Sequence, residues 1–230
     1  MSLIDKFFGR DKGCKKNMAI DSQQFIGSKD VEPKGFKLSQ LRGIKVNSAL
    51  CLTPIDADSL FNPDNMDLIS LCTFYDDKIS AYLPTLDFST PESAQKCIIR
   101  TIKQTEAGLS FAYAARIGRG LVGVIYVNTP MLNSKIKFPY WTIDFFLLEP
   151  HRGKQLMPRF LLGMSFYLRE VLKLKQYFIV VDETNTTCIR MLDNCLFITK
   201  RPDMSFVDPN IGKKAVAFQC NLHSEKFTKY

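Results

Sequence analysis

Apolar and polar positions follow two distinct periods along this chain, and the switches between them mark its elements. Tyr177-Phe178-Ile179-Val180-Val181 is an unbroken apolar run, the pattern of a central strand covered on both faces. Ala49 to Ile55, Phe111 to Ala115, Leu121 to Val127 and Ile143 to Leu148 read as further strands. The second and third of these are joined by Arg116-Ile117-Gly118-Arg119-Gly120, a hairpin signal. After Gly153 the period becomes helical, with Phe160, Leu161, Met164, Leu168, Val171 and Leu172 on one side. Ala94, Cys97, Ile98 and Ile102 recur in the same way behind Ser89-Thr90-Pro91-Glu92, a helix start with Ser-x-x-Glu spacing and a proline in the first turn.

Residues 56–74 predict short helices broken at Pro63, and residues 186–194 another short helix. Residues 128–139 read as a loop. Phe197 to Lys200 and Ala215 to Asn221 read as closing strands, joined by a loop from Pro202 to Lys214. The order is strand, helices, three strands, helix, strand, helix, two strands, with no internal repeat. This is a mixed α/β layout with helices packed on a twisted sheet.

The chain has 230 residues, 46% of them hydrophobic, enough for one well-buried domain and an appendage. Regular patterning begins near Lys45, which divides a basic, amphipathic extension (1–44) from a domain spanning 45–230. Within the extension Leu3, Ile4, Phe7 and Phe8 would share one helical face. That face suits docking on the domain or, through residues 1–16, weak contact with a membrane surface. No apolar run approaches the roughly 18–20 residues of a membrane span, and the N-terminus lacks the apolar core of a secretion signal. The expected location is therefore cytoplasmic.

The seven cysteines form no Cys-x-x-Cys pair and there are only two histidines, so reduced thiols and no metal site are expected. The net charge of +8 favours anionic partners. No stripe of alternating Arg and aromatic residues accompanies it, so nucleic acid is not expected.

Candidate chemistry concentrates in residues 140–197. An apolar strand stops at Pro150, and the basic turn His151-Arg152-Gly153-Lys154 then opens an amphipathic helix. Free backbone N–H groups and the positive helix end suit a phosphate or pyrophosphate there. With the element order, these features make residues 45–222 resemble the GCN5-related N-acetyltransferases (GNAT), in particular their Rim-type branch. The resemblance implies an α/β fold with a twisted, mostly antiparallel sheet, a splayed central strand pair and helices on both faces. It also implies acetyl-CoA as co-substrate and an amine acceptor, either a protein N-terminus or a small amine.

Gly120-Leu121-Val122-Gly123-Val124-Ile125 matches the family's hairpin strand, and Asp144-Phe145-Phe146-Leu147-Leu148 its splayed strand. The resemblance implies that Phe145, Phe146, Leu147 and Leu148 offer backbone N–H groups to the cofactor. It places Arg152, Gly153, Lys154, Gln155, Leu156 and Met157 in the pyrophosphate turn, and Asn185 beside the pantetheine arm. Gln155 and Met157 stand where the motif has glycines, and Cys195-Leu196-Phe197 lacks a third. For the base the candidates are Asp144 and Glu149, directly or through water, with Glu183 a further carboxylate.

The family's Tyr proton donor is replaced by Leu192, and its Ser alternative by Cys188, which becomes the candidate acid. The aromatics Phe138, Tyr140, Trp141, Phe145 and Phe146 belong either to an acceptor groove or to the core. Two functional readings follow: an active acyl-CoA N-acyltransferase, or a catalytically weakened CoA-binding or protein-interaction module.

Overall fold

A computed structural model describes residues 41–55, 66–133, 138–207 and 212–228. The strands are β1 (Ile44–Lys45), β2 (Leu50–Pro54), β3 (Ser110–Ile117), β4 (Gly120–Asn128), β5 (Thr142–Leu147), β6 (Gln176–Asp182), β7 (Thr199–Val207) and β8 (Lys214–Asn221). The helices are α1 (Met66–Thr73), α2 (Asp77–Tyr82), α3 (Pro91–Glu106), α4 (Pro130–Asn133), α5 (Leu156–Glu170), α6 (Thr186–Asp193) and α7 (Glu225–Thr228). The strands form one sheet in the order β1-β2-β3-β4-β5-β6-β8-β7. Every neighbouring pair is antiparallel except β5 and β6. The mixed α/β, mostly antiparallel sheet with a splayed central pair is thus the architecture of the chain.

Alternation along the strands sends side chains to two cores. On one face Phe111, Tyr113, Ile143, Tyr177, Ile179 and Phe218 pack against Phe160, Leu161, Met164 and Leu168 of α5. Each of these four helix side chains is fully buried, a contribution of about 1.5–3 kcal/mol apiece in transfer terms. On the other face Ala112, Ala114, Val124, Phe146 and Leu148 pack against α1, α2 and α3 through Leu71, Ile79, Ala94, Cys97 and Ile98. The aromatic group proposed from sequence is split by this alternation. Trp141 belongs to the first core and Phe146 to the second, with Phe145 packed against the first. Phe138 and Phe178, with Tyr140 and Phe206 against them, make a third cluster near the far edge of the sheet.

Several boundaries differ from the sequence expectation, each for a physical reason. Thr90, not Ser89, caps α3: its hydroxyl accepts from Ser93 N at 3.1 Å, while Ser89 turns back to Asp87. The segment after Pro202 is not a plain loop, because β7 continues to Val207. Pro202 is accommodated where the register with β8 shifts, between Arg201 and Phe206, on an edge strand. The loop expected over 128–139 contains the short helix α4. The six described cysteines are all free thiols. The extension expected over 1–44 lies, up to residue 40, outside the described residues, as does the break expected at Pro63.

Candidate active site

Strand β5 pairs with β4 from Gly123↔Leu147 to Asn128↔Thr142, but with β6 only at Thr142↔Phe178. Phe178 N donates to Trp141 O at 2.8 Å, and beyond that point the two parallel strands make no further pair; we call the unpaired gap between them the cleft. Two hydrogen bonds fix which residues face it. Leu148 N donates to Val122 O at 2.9 Å, so the even-numbered residues of β5 turn their backbone toward β4. Phe145 and Leu147 therefore turn theirs to the cleft. Of the strand residues expected to offer N–H groups, Phe146 and Leu148 sit with their backbone toward β4 and their side chains in the second core.

At the outer end of β5 the chain makes a short 3₁₀ turn (Glu149–His151) and then the turn 152–155 that opens α5. Gly153 has φ 72° and Gln155 φ 53°, both left-handed. Gln155 thus adopts a conformation that favours glycine, at a cost of about 1–2 kcal/mol for a residue with a Cβ. Met157, at the other glycine position, is 3% exposed and packs in the first core with Leu156, whereas the Gln155 side chain is exposed.

No side chain caps α5, and Pro158 carries no N–H. The N–H groups of Gln155, Leu156 and Met157 find no hydrogen-bond acceptor among the described residues. Together with exposed Lys154 they form an electropositive helix end. Burial, and secondarily Lys154, holds the His151 imidazole below its ordinary pKa, favouring its neutral form.

The Arg152 guanidinium is committed to protein groups. Its Nε donates to Leu147 O at 2.9 Å, and its two terminal nitrogens donate to the Asp76 carboxylate at 2.5 and 2.9 Å. Asp76 in turn caps α2, accepting from Ile79 N at 3.2 Å. Across the cleft Asn185 caps α6: its Oδ1 accepts from Cys188 N at 3.1 Å, and its side-chain amide has no partner among the described residues.

The candidate acid and bases separate clearly. Burial pushes the Cys188 thiol up to about 12 and Leu192 is fully buried, so α6 presents a neutral, weakly acidic thiol beside the core. Glu149 and Glu183 are exposed at strand ends. Asp144 is half-buried on the sheet face opposite α5 and α6, where its Oδ2 accepts from Asn128 Nδ2 at 2.7 Å. Asn128 also donates to Thr142 Oγ1 at 3.4 Å, and Asn133 Nδ2 donates to the same oxygen at 2.9 Å. This polar strip of Asn128, Asn133 and Thr142, like Asp76, carries no signal in the sequence, because its members meet only through the strand register. Among the described residues no cluster of His, Cys, Asp and Glu could hold a metal, and no helix is long and apolar enough to cross a membrane.

No protein-family model and no curated protein matches the chain. Solved structures do. An acetyl transferase from Salmonella typhimurium that modifies the N-terminal serine of ribosomal protein L7/L12 superposes with a TM-score of 0.63 at 14% identity, covering 78% of this chain and 99% of that one. RimL, the ribosomal L7/L12 α-N-protein acetyltransferase, in complex with Coenzyme A, gives 0.60 at 14%, with 78% and 98% covered. A GNAT-family acetyltransferase from Bacillus anthracis gives 0.57 at 14%, with 80% and 100% covered. The chain has the GNAT fold, with Rim-type enzymes among its structural neighbours.

Proposed function

We propose that this protein is an N-acetyltransferase that moves the acetyl group of acetyl-CoA directly to an amine. The carrying observation is the cleft that opens beyond Thr142 and Phe178 and has the uncapped start of α5 at its outer end. Solved neighbours of this fold include one in complex with Coenzyme A and the microcin C7 self-immunity acetyltransferase MccE in complex with acetyl-CoA and AMP, the latter with a TM-score of 0.54 at 14% identity. Acetyl-CoA supplies an activated thioester.

The chain's own groups divide the remaining work. The N–H groups of Gln155, Leu156 and Met157, with Lys154, suit the diphosphate. The cleft-facing backbone of Phe145 and Leu147, with the Asn185 amide, suits the amide groups of the pantetheine arm and polarisation of the thioester carbonyl. Asp144 flanks the cleft from the opposite sheet face and accepts the proton of the attacking amine, held in place by Asn128. The acceptor is an amine, a protein N-terminus or a small molecule, and the protein acts in the cytoplasm.

A second reading, a binding or interaction module of weakened catalysis, is favoured by α6. A thiol at about 12 is a far weaker acid than an ordinary one near ~8.5, and Leu192 donates no proton. The two readings part in one experiment. Calorimetric titration with acetyl-CoA and CoA, followed by thiol release with peptide N-termini and small amines, should give micromolar binding and turnover. Asp144→Asn should cut that turnover about 100-fold or more with binding retained. Binding without turnover on any acceptor would favour the module, and no binding of either ligand would end the acetyltransferase reading and leave the fold as an interaction module.

A further inference from the structure

We infer that Asp76, which lies in no family motif and outside the cleft, is a positioning residue for the diphosphate turn; the inference rests on the acetyl-CoA reading above. The turn has little of its own to define it. Gly153 and Gln155 are both left-handed, no side chain caps α5, and among the described residues no hydrogen bond from the N–H groups of Gly153 to Met157 closes it. A strained conformation of this kind persists only where its surroundings over-determine it.

Here it is pinned from its two ends. At one end Leu156 and Met157 are buried in the first core. At the other the Arg152 side chain is fixed at three points: Leu147 O and both carboxylate oxygens of Asp76. A bidentate Arg–carboxylate pair sets direction as well as distance. Asp76 is itself rigid, because the same carboxylate caps α2 through Ile79 N. The pair is about three-quarters shielded, with 28% and 29% of the two side chains exposed. Arg152 is therefore held by protein groups, and its part is to aim the three N–H groups that follow it.

The molecule contains its own control. Arg116 and Asp67 form a comparable, partly shielded two-point ion pair between β3 and α1, with Arg116 Nη1 donating to Asp67 Oδ1 at 2.8 Å. The hydrogen bonds of Arg116 run to Thr53, Asp67 and Arg119 and to no residue of the turn. Asp76→Asn keeps the α2 cap, since Asn caps as well as Asp, but removes the charged pair. Acetyl-CoA affinity of the full chain, measured by calorimetry beside the melting temperature, is expected to fall about tenfold or more in Asp76→Asn. In Asp67→Asn it should stay within about twofold while the melting temperature drops.

Wild-type affinity in Asp76→Asn, or equal losses in Asp76→Asn and Asp67→Asn, overturns the inference and leaves the acetyl-CoA reading standing. If the wild-type chain itself binds no acetyl-CoA, both fall together.

Discussion

The two edges of strand β5 behave differently although they belong to the same residues. The edge toward β4 is paired along its whole length; the edge toward β6 is paired at a single position. The closed edge is fixed by close approach. Gly123 faces Leu147, and a Cβ added there would lie 2.3 Å from Phe146 O and 3.1 Å from Leu147 Cα. The open edge leaves backbone groups of Phe145 and Leu147 unpaired by β6, and unpaired backbone beside a core is costly unless something else pairs it. One strand is thus a structural seam on one side and an open edge on the other. Substitutions on the two sides should separate stability from chemistry.

The largest effect is expected on the closed edge. Gly123→Val drives side-chain atoms into the backbone of β5, which cannot yield as a flexible side chain would. It should cost about 3 kcal/mol or more and lower the denaturant midpoint accordingly. Wild-type stability in this variant would mean that β4 and β5 are less closely apposed than their register requires. Asp144→Asn, which leaves the backbone pairing of both edges intact, should keep the unfolding free energy within about 0.5–1 kcal/mol of wild type while turnover collapses. A loss of stability matching the loss of rate would make the Asn128–Asp144 contact part of the seam and not of the chemistry.

A smaller effect is expected from pH at Asp76, the partner of Arg152. The hydrogen bond from Arg152, aided by the one from Ile79 N, holds the Asp76 carboxyl below the usual carboxylate range. A carboxyl with a depressed folded pKa stabilises the fold above its unfolded value, near ~3.9, and loses that contribution as pH falls through the folded value. Wild type and Asp76→Asn should therefore differ in unfolding free energy at pH 6, and the gap should narrow as pH drops below about 4. A gap that is unchanged in acid would show that the ion pair contributes nothing to the fold.

The sequence made one side of this comparison more legible than the other. The apolar run at Tyr177–Val181 and the strand ending at Pro150 announce β6 and β5, and Arg152-Gly153-Lys154 announces the turn that follows. Local composition carries those signals. It does not carry which half of β5 faces the cleft. Phe145-Phe146-Leu147-Leu148 is uniformly apolar, and only the register with β4 separates the cleft-facing residues from the paired ones. Asp76 and Asn128 were equally silent. Asp76 acts through an arginine 76 residues away, and Asn128 through a cross-strand neighbour. The sequence ends this edge strand at Lys200 and reads a loop from Pro202, yet Pro202 sits within β7 where a shift in register tolerates it.

The smallest expected effect tests how the turn survives without its glycine. Gln155 holds φ 53°, a conformation that an L side chain adopts only under constraint, and its side chain is exposed. Gln155→Gly removes the Cβ that makes this conformation costly, but it also gives the unfolded chain more freedom, which opposes the gain. The balance should be a stabilisation of about 0.5–1 kcal/mol. The backbone N–H groups are unchanged by the substitution, so acetyl-CoA affinity should hold or tighten slightly. A destabilised Gln155→Gly would mean that the glutamine side chain contributes contacts that outweigh its backbone strain. A stabilised variant with weakened affinity would mean that the strain itself aims the helix end, and that the pinning by Arg152 and Met157 is not sufficient alone.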